Sequence, residues 1–217
     1  MSSLPQSNSQ TAARPATPPE RLVLIGFMGA GKSTVGRLLA ARLGWQFVDT
    51  DLVIQQKHGC TVAEMFAEQG EGAFRNRESV ALARALGQTD VVIAVGGGAP
   101  EILTNRLLLE QTKGTMVVFL DAPFDVLFDR CVLQEGAEIR PVLLDPTAAA
   151  ERFQLRLPFY RRSAQLCVRT SRQSPEDTAT HILNLIPARD RATPQSDAEQ
   201  QHTSTLLASH GLHRLER

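Results

Sequence analysis

The sequence predicts an α/β fold, a parallel β-sheet covered by helices on both faces, and three observations predict it. Short apolar runs recur along the chain, RLVLI at 21–25, DVVIAV at 90–95 and TMVVFL at 115–120, and such runs read as strands buried on both faces. Stretches with helical apolar spacing separate them, so strand and helix signals alternate. The first run leads directly into Gly26–Ser33, GFMGAGKS, a full match to the phosphate-binding pattern G-x-x-x-x-G-K-[ST] at a strand-to-helix junction.

Taken in order, the strand at 21–25 is followed by a helix over 34–43, with Val35, Leu38, Leu39 and Leu43 on one face and Gly44 as its stop. Gln46-Phe-Val-Asp49 is a short strand ending in acids. Helical pieces follow over 50–57, 61–68 and 71–86, the second opened by a Thr61/Glu64 capping box. The strand at 90–95 runs into Gly96-Gly97-Gly98. A helix over 101–112, the strand at 115–120 and a helix over 123–133 come next. Residues 134–146 hold Gly136, Pro141 and Pro146 and read as a mobile loop. A helix over 147–161, a strand at 165–169 and a helix from Pro175 to Ile186 close the domain.

Composition limits the function classes. The 217 residues suit one domain with tails, and formal net charge is +0, so no general basic field recruits nucleic acid. No apolar run approaches the ~20 residues of a membrane span, and the N-terminus lacks the apolar region of a secretory signal. Cys60, Cys131 and Cys167 are scattered, which reads as free thiols in a reducing cytosol. Residues 1–19 are rich in Ser, Gln, Ala and Pro and are expected to be disordered; after Pro187 the chain turns polar again, and its last piece is expected to be weakly ordered or a docking tail. Arg14 alone is thin support for a transit peptide. Leu206, Leu207, Leu212 and Leu215 could form a short amphipathic helix within 205–217.

The chemistry-bearing residues gather around the phosphate loop. Gly26, Gly29 and Gly31 are expected to bring the backbone close to a polyphosphate, Lys32 to reach its β- and γ-phosphates, and Ser33 to ligate Mg²⁺. Asp49 and Asp51 lie two apart at a strand end, the edge where open α/β sheets bind ligands. In an extended chain they share a side, which suits a metal-facing acid and an acceptor-facing one; a helix N-cap is the plainer alternative. Arg75 and Glu78 share a helical face. Arg75 could grip an anion bidentately, although such a pair taken alone reads as a surface ion pair. Gly96–Gly98 would expose amide groups to a ligand lying against them. Arg130, Arg140 and Arg156 could supply the positive charge that phosphoryl transfer requires.

Together GFMGAGKSTVGR, FVDTD, FRNRE, VGGGA, IRPVLL and RLPFYRR resemble the shikimate kinases over about residues 20–187. The resemblance implies a P-loop, nucleoside-monophosphate-kinase-like fold with a mobile lid at about 134–146. It implies ATP-dependent phosphorylation of the 3-hydroxyl of shikimate to shikimate 3-phosphate, in the biosynthesis of chorismate and aromatic amino acids. By the same resemblance Gly29, Ala30, Gly31, Lys32, Ser33 and Thr34 hold the nucleotide, Arg140 closes on its phosphates, and Arg130 and a loop before Pro175 flank its adenine. Ser33 and Asp49 hold Mg²⁺, the latter through water. Asp51, Arg75, Gly96, Gly97, Gly98 and Arg156 bind shikimate. Lys32, Asp51 as candidate base and the lid residue Arg140 are the catalytic set. Val95, before the glycines, stands where relatives also carry Ser, Thr or Leu.

The expected partners are therefore shikimate and ATP, with no nucleic acid and no membrane, in a cytoplasmic monomer. A gluconate kinase would share the fold and loop but is not expected to combine F-R-x-x-E, a triple glycine and R-x-P-x-Y. A guanine-reading switch would need N-K-x-D, and none of Lys32, Lys57 and Lys113 follows an asparagine.

Overall fold

The computed structural model describes residues 17–133 and 145–187. Five strands form one sheet in the order β2-β3-β1-β4-β5, every neighbouring pair parallel. They are β1 (Arg21–Ile25), β2 (Gln46–Asp49), β3 (Val91–Ala94), β4 (Thr115–Asp121) and β5 (Leu166–Arg169). Val23 sits at the sheet centre, in register with Ile93 on one side and Val117 on the other. All five residues of β1 and all four of β3 are buried, as unbroken apolar strands require in a sheet covered twice. The helices are α1 (Lys32–Leu43), α2 (Thr50–His58), α3 (Val62–Leu86), α4 (Leu103–Gln111), α5 (Phe124–Leu133), α6 (Pro146–Ser163) and α7 (Pro175–Leu185). A single 3₁₀ turn, η1 (Ala99–Glu101), lies between β3 and α4.

Because every strand runs the same way, their C-terminal ends share one edge. The phosphate loop leaves β1 there, Asp49 ends β2, and the triple glycine follows β3. β1 is central, and the chain reverses direction across the sheet on either side of it, which is where open α/β sheets bind ligands.

The expected elements are present, with informative shifts at their ends. α1 begins at Lys32, two residues before the predicted start, because Gly31 takes a left-handed conformation at its N-cap. The pieces predicted at 61–68 and 71–86 form α3, broken at Gly70 (φ 79°, ψ 164°), and the Thr61/Glu64 capping box is in place. The helix predicted from 101 starts only at Leu103: Glu101 belongs to η1, and Ile102 is extended. Pro19 is buried within the segment expected to be disordered. Residues 1–16, the polar tail from 188 with its amphipathic 205–217 segment, and the predicted loop over 134–144 with Arg140 lie outside the described residues.

Candidate active site

The phosphate loop is shaped by its glycines, though not all for the expected reason. Gly26, Gly29 and Gly31 have φ of 146°, 74° and 88°. A side chain at Gly26 would lie 2.8 Å from the Leu120 carbonyl oxygen, and one at Gly29 would collide with the Leu127 carbonyl. These two glycines let the loop press onto β4 and α5. At Gly31 the nearest atom would be 3.8 Å away, so only the backbone conformation selects glycine. Gly29→Ala is therefore expected to cost more than about 3 kcal/mol, from strain plus overpacking. Gly31→Ala should cost about 1–2 kcal/mol, from strain alone. Urea unfolding of the two variants checks the difference.

Lys32 curls back over the loop, its Nζ donating to the Gly26 and Phe27 carbonyls at 3.0 and 3.1 Å. Ser33 Oγ donates to Asp49 Oδ2 at 2.6 Å. The other Asp49 oxygen, Oδ1, accepts from the backbone of Asp51 and Leu52 at 3.1 and 3.3 Å. The plainer sequence reading of Asp49, a helix N-cap, is therefore seen directly: one oxygen caps α2, while the other meets the phosphate-loop serine.

The extended-chain argument for Asp51 fails, since α2 begins at Thr50. The turn carries Asp51 away from Asp49 and toward the triple glycine. A side chain built on Gly96 would lie 2.7 Å from Asp51 Oδ1 and would collide with Glu78. One acid thus meets the phosphate loop while the next meets the glycine loop.

One amide of the triple glycine is already engaged within the protein. Gly96 N–H donates to Thr50 Oγ1 at 3.3 Å, and the Gly97 carbonyl accepts from the Tyr160 hydroxyl at 2.6 Å. Its bareness serves close packing: Glu78 lies against Gly96, and the Arg75 guanidinium lies flat against Gly98. Arg75 donates to Glu78 and to Glu71, both at 2.8 Å. The Glu78 side chain is 0% exposed and that of Arg75 12%, so the pair is not a surface ion pair. Arg156, on α6, is buried with its Nε donating to Glu101, and it stands 5.8 Å above the Phe27 ring of the phosphate loop. Glu71, on the far side of Arg75, also reaches Arg152 of α6 at 3.3 Å.

The Glu78 carboxyl is pushed up to about 7, first by burial, with Arg75 opposing and Asp51 adding to the rise. Its ordinary value is 4.5. The native state thus takes up this proton at a higher pH than the unfolded chain does. The stability it contributes is full below about 4.5 and is lost as pH rises through about 7. Wild-type Tm should therefore fall relative to Glu78→Gln between pH 5 and 8, and an offset flat in pH would contradict this.

Arg130 donates to the Thr170 carbonyl at 2.6 Å and to its hydroxyl at 3.1 Å. It is thereby joined to the loop before Pro175, the two features the resemblance places around adenine. Cys60, Cys131 and Cys167 are free thiols, as expected. Among the described residues no group of three or more His, Cys, Asp or Glu could hold a metal by itself. Sequence reasoning did not single out Thr50, Glu71, Glu101 or Tyr160. Thr50 and Tyr160 lay inside motifs it used, FVDTD and RLPFYRR; Glu71 and Glu101 carry no sequence signal of their own.

A phosphate loop at the central strand, an acid beside its serine, and a second acid with the partly exposed Arg75 and the buried Arg156 around a bare loop make up a site of P-loop kinase type. The comparisons specify which. The shikimate kinase family model matches residues 28–187. The shikimate kinase of Symbiobacterium thermophilum is 42% identical over 171 residues, covering 77% of this chain and 97% of its own length. That of Thermobifida fusca is 42% identical over 172 residues, covering 76% and 94%. The solved shikimate kinase of Acinetobacter baumannii, in complex with shikimate, superposes with a TM-score of 0.71 at 36% identity, covering 78% of this chain and 93% of its own. The chain belongs to the shikimate kinase family.

Proposed function

We propose that this protein transfers the γ-phosphoryl group of ATP to the 3-hydroxyl of shikimate, giving shikimate 3-phosphate on the route to chorismate and the aromatic amino acids. The observation that carries the reading is the pairing of two arginines, the largely covered Arg75 and the buried Arg156, with Asp51 around Gly96–Gly98, directly beside the phosphate loop. That set suits a small acid bearing hydroxyls: the arginines take its carboxylate and Asp51 takes a hydroxyl.

In this reading residues 29–34 cradle the nucleotide phosphates and Lys32 supplies a point charge to them. Arg130 and the loop before Pro175 flank the adenine. Asp51 orients the attacking hydroxyl and accepts its proton as the oxygen bonds to phosphorus and ADP leaves. Arg140, a sequence-based assignment, meets the transferring group. Ser33 and Asp49 present a hydroxyl and a carboxylate oxygen 2.6 Å apart next to the phosphate loop. Such a hard oxygen pair fits Mg²⁺, which is held by few protein ligands and completed by water and phosphate. When bound, the ion would neutralise charge on the β- and γ-phosphates.

The catalytic unit is assigned to residues 20–187, with 1–19 and 188–217 outside it. A cytoplasmic monomer without nucleic-acid or membrane partners is the assembly we favour. Its support is the zero net charge, the free thiols and, among the described residues, no helix long and apolar enough to cross a membrane. An ADP-release assay across shikimate, gluconate and related polyol acids tests the acceptor. Preference for shikimate supports the reading, and preference for gluconate overturns it.

A further inference from the structure

Arg156 is 4% exposed, and a buried guanidinium is retained only where a partner and hydrogen bonds compensate its desolvation. Its partner is Glu101, whose Oε1 accepts from Nε. Nη1 of the same guanidinium lies beside the triple glycine: a side chain built on Gly97 would sit 3.5 Å from it. Glu101 therefore holds the edge of the guanidinium nearest the chain and leaves the Nη1 end to the glycine loop.

Glu101 is itself fixed. It closes η1, three residues after Gly98. Asn105 Nδ2 donates to the Ala99 carbonyl at 3.0 Å, and Arg106 Nη1 donates to the Pro100 and Glu101 carbonyls, both at 2.7 Å. Two adjacent side chains of α4 thus reach three consecutive carbonyls of η1: the turn's own bond, from Ile102 N–H, ends on Ala99, and Arg106 takes the next two. Arg106 also stacks 4.8 Å from the Phe159 ring centroid. Phe159 neighbours Tyr160, which donates to Gly97. Side chains of α6 and α4 together pin the glycine loop.

We propose that Glu101 is a positioning residue for the acceptor: it sets the orientation of Arg156 against Gly97, with Asn105 and Arg106 holding Glu101 in turn. This rests on the assignment of Arg156 to the acceptor carboxylate. Geometry rather than charge is the means. The Glu101 side chain is 34% exposed, so its charge is partly screened, whereas the direction it imposes on a buried fork is not.

Steady-state kinetics of the full chain with shikimate and with shikimate carboxamide test it. Glu101→Ala should raise the shikimate KM on the order of tenfold, the size of coupling between contacting groups. It should leave kcat within about threefold and the ATP KM unchanged, since Arg156 grips acid in ground and transition state alike. It should also shrink the preference for acid over amide by a similar factor. Glu101→Gln keeps an oxygen for Nε and should restore most of the affinity. Glu101→Asp withdraws the carboxylate by one methylene and should reduce the same preference, giving the readout should alanine fail to fold. An unchanged or lower shikimate KM, or equal losses on acid and amide, would overturn the role of Glu101. A wild type that does not prefer acid over amide removes the Arg156 assignment and this role with it. A wild-type preference left intact by both Glu101→Ala and Glu101→Asp overturns the positioning role alone.

Discussion

Lys32→Ala is expected to lower kcat by at least about 10²–10³-fold, the effect of removing one preorganised charge from where charge develops in the transition state. The fold should survive. The side chain contributes two hydrogen bonds to the Gly26 and Phe27 carbonyls from a half-buried position. Losing each is worth about 0.5–1.5 kcal/mol, less where water replaces the donor. These contacts place its ammonium on loop carbonyls of the strand–helix junction, within reach of anything the loop binds. Lys32→Arg should not rescue activity, because a planar fork does not replace a compact ammonium in a tight loop. Measuring kcat and thermal unfolding on the same preparation separates the two effects. Activity near wild type with a normal melt would remove Lys32 from the mechanism.

Asp51→Asn is expected to cut kcat by about 10²–10⁴-fold, the usual worth of a positioned general base. Nucleotide affinity should hardly change, because Asp51 faces Gly96 and Glu78 while Asp49 faces Ser33. The division of labour predicts a contrast: Asp49→Asn should weaken use of Mg²⁺–ATP, and it should also loosen the start of α2, where Asp49 accepts two backbone N–H bonds. An Asp51→Asn variant with only a raised shikimate KM would make Asp51 a binding residue.

Much of this site was legible in the sequence because its motifs encode local backbone. The phosphate loop is a run of conformations that glycine allows, so pattern and geometry coincide. What the residues do across the fold was less legible. Asp49 and Asp51 were read as sharing one side by an extended-chain argument that α2, starting at Thr50, invalidates: one acid meets Ser33 and the other the glycine loop. Arg75 and Glu78 read as surface charges because helical spacing says which face they share, not what that face packs against. Gly26 and Gly29 were read toward the ligand, whereas β4 and α5 behind them explain their bareness. Glu101 gave no signal: its place in the predicted helix 101–112 hid a 3₁₀ turn whose position depends on Asn105 and Arg106. Each miss concerns a tertiary neighbour that spacing along one element does not specify.

Transfer of phosphoryl from ATP to one hydroxyl of shikimate, and to little else, is the activity proposed for this site. The most direct measurement follows ADP and product together, by a coupled assay for ADP and ³¹P NMR of the acceptor, with shikimate present and absent. The account predicts one ADP per shikimate consumed, a single phosphorylated product bearing the group on the 3-oxygen, and little ADP without shikimate. ADP release that proceeds equally without shikimate, or phosphate on a different hydroxyl, would contradict it.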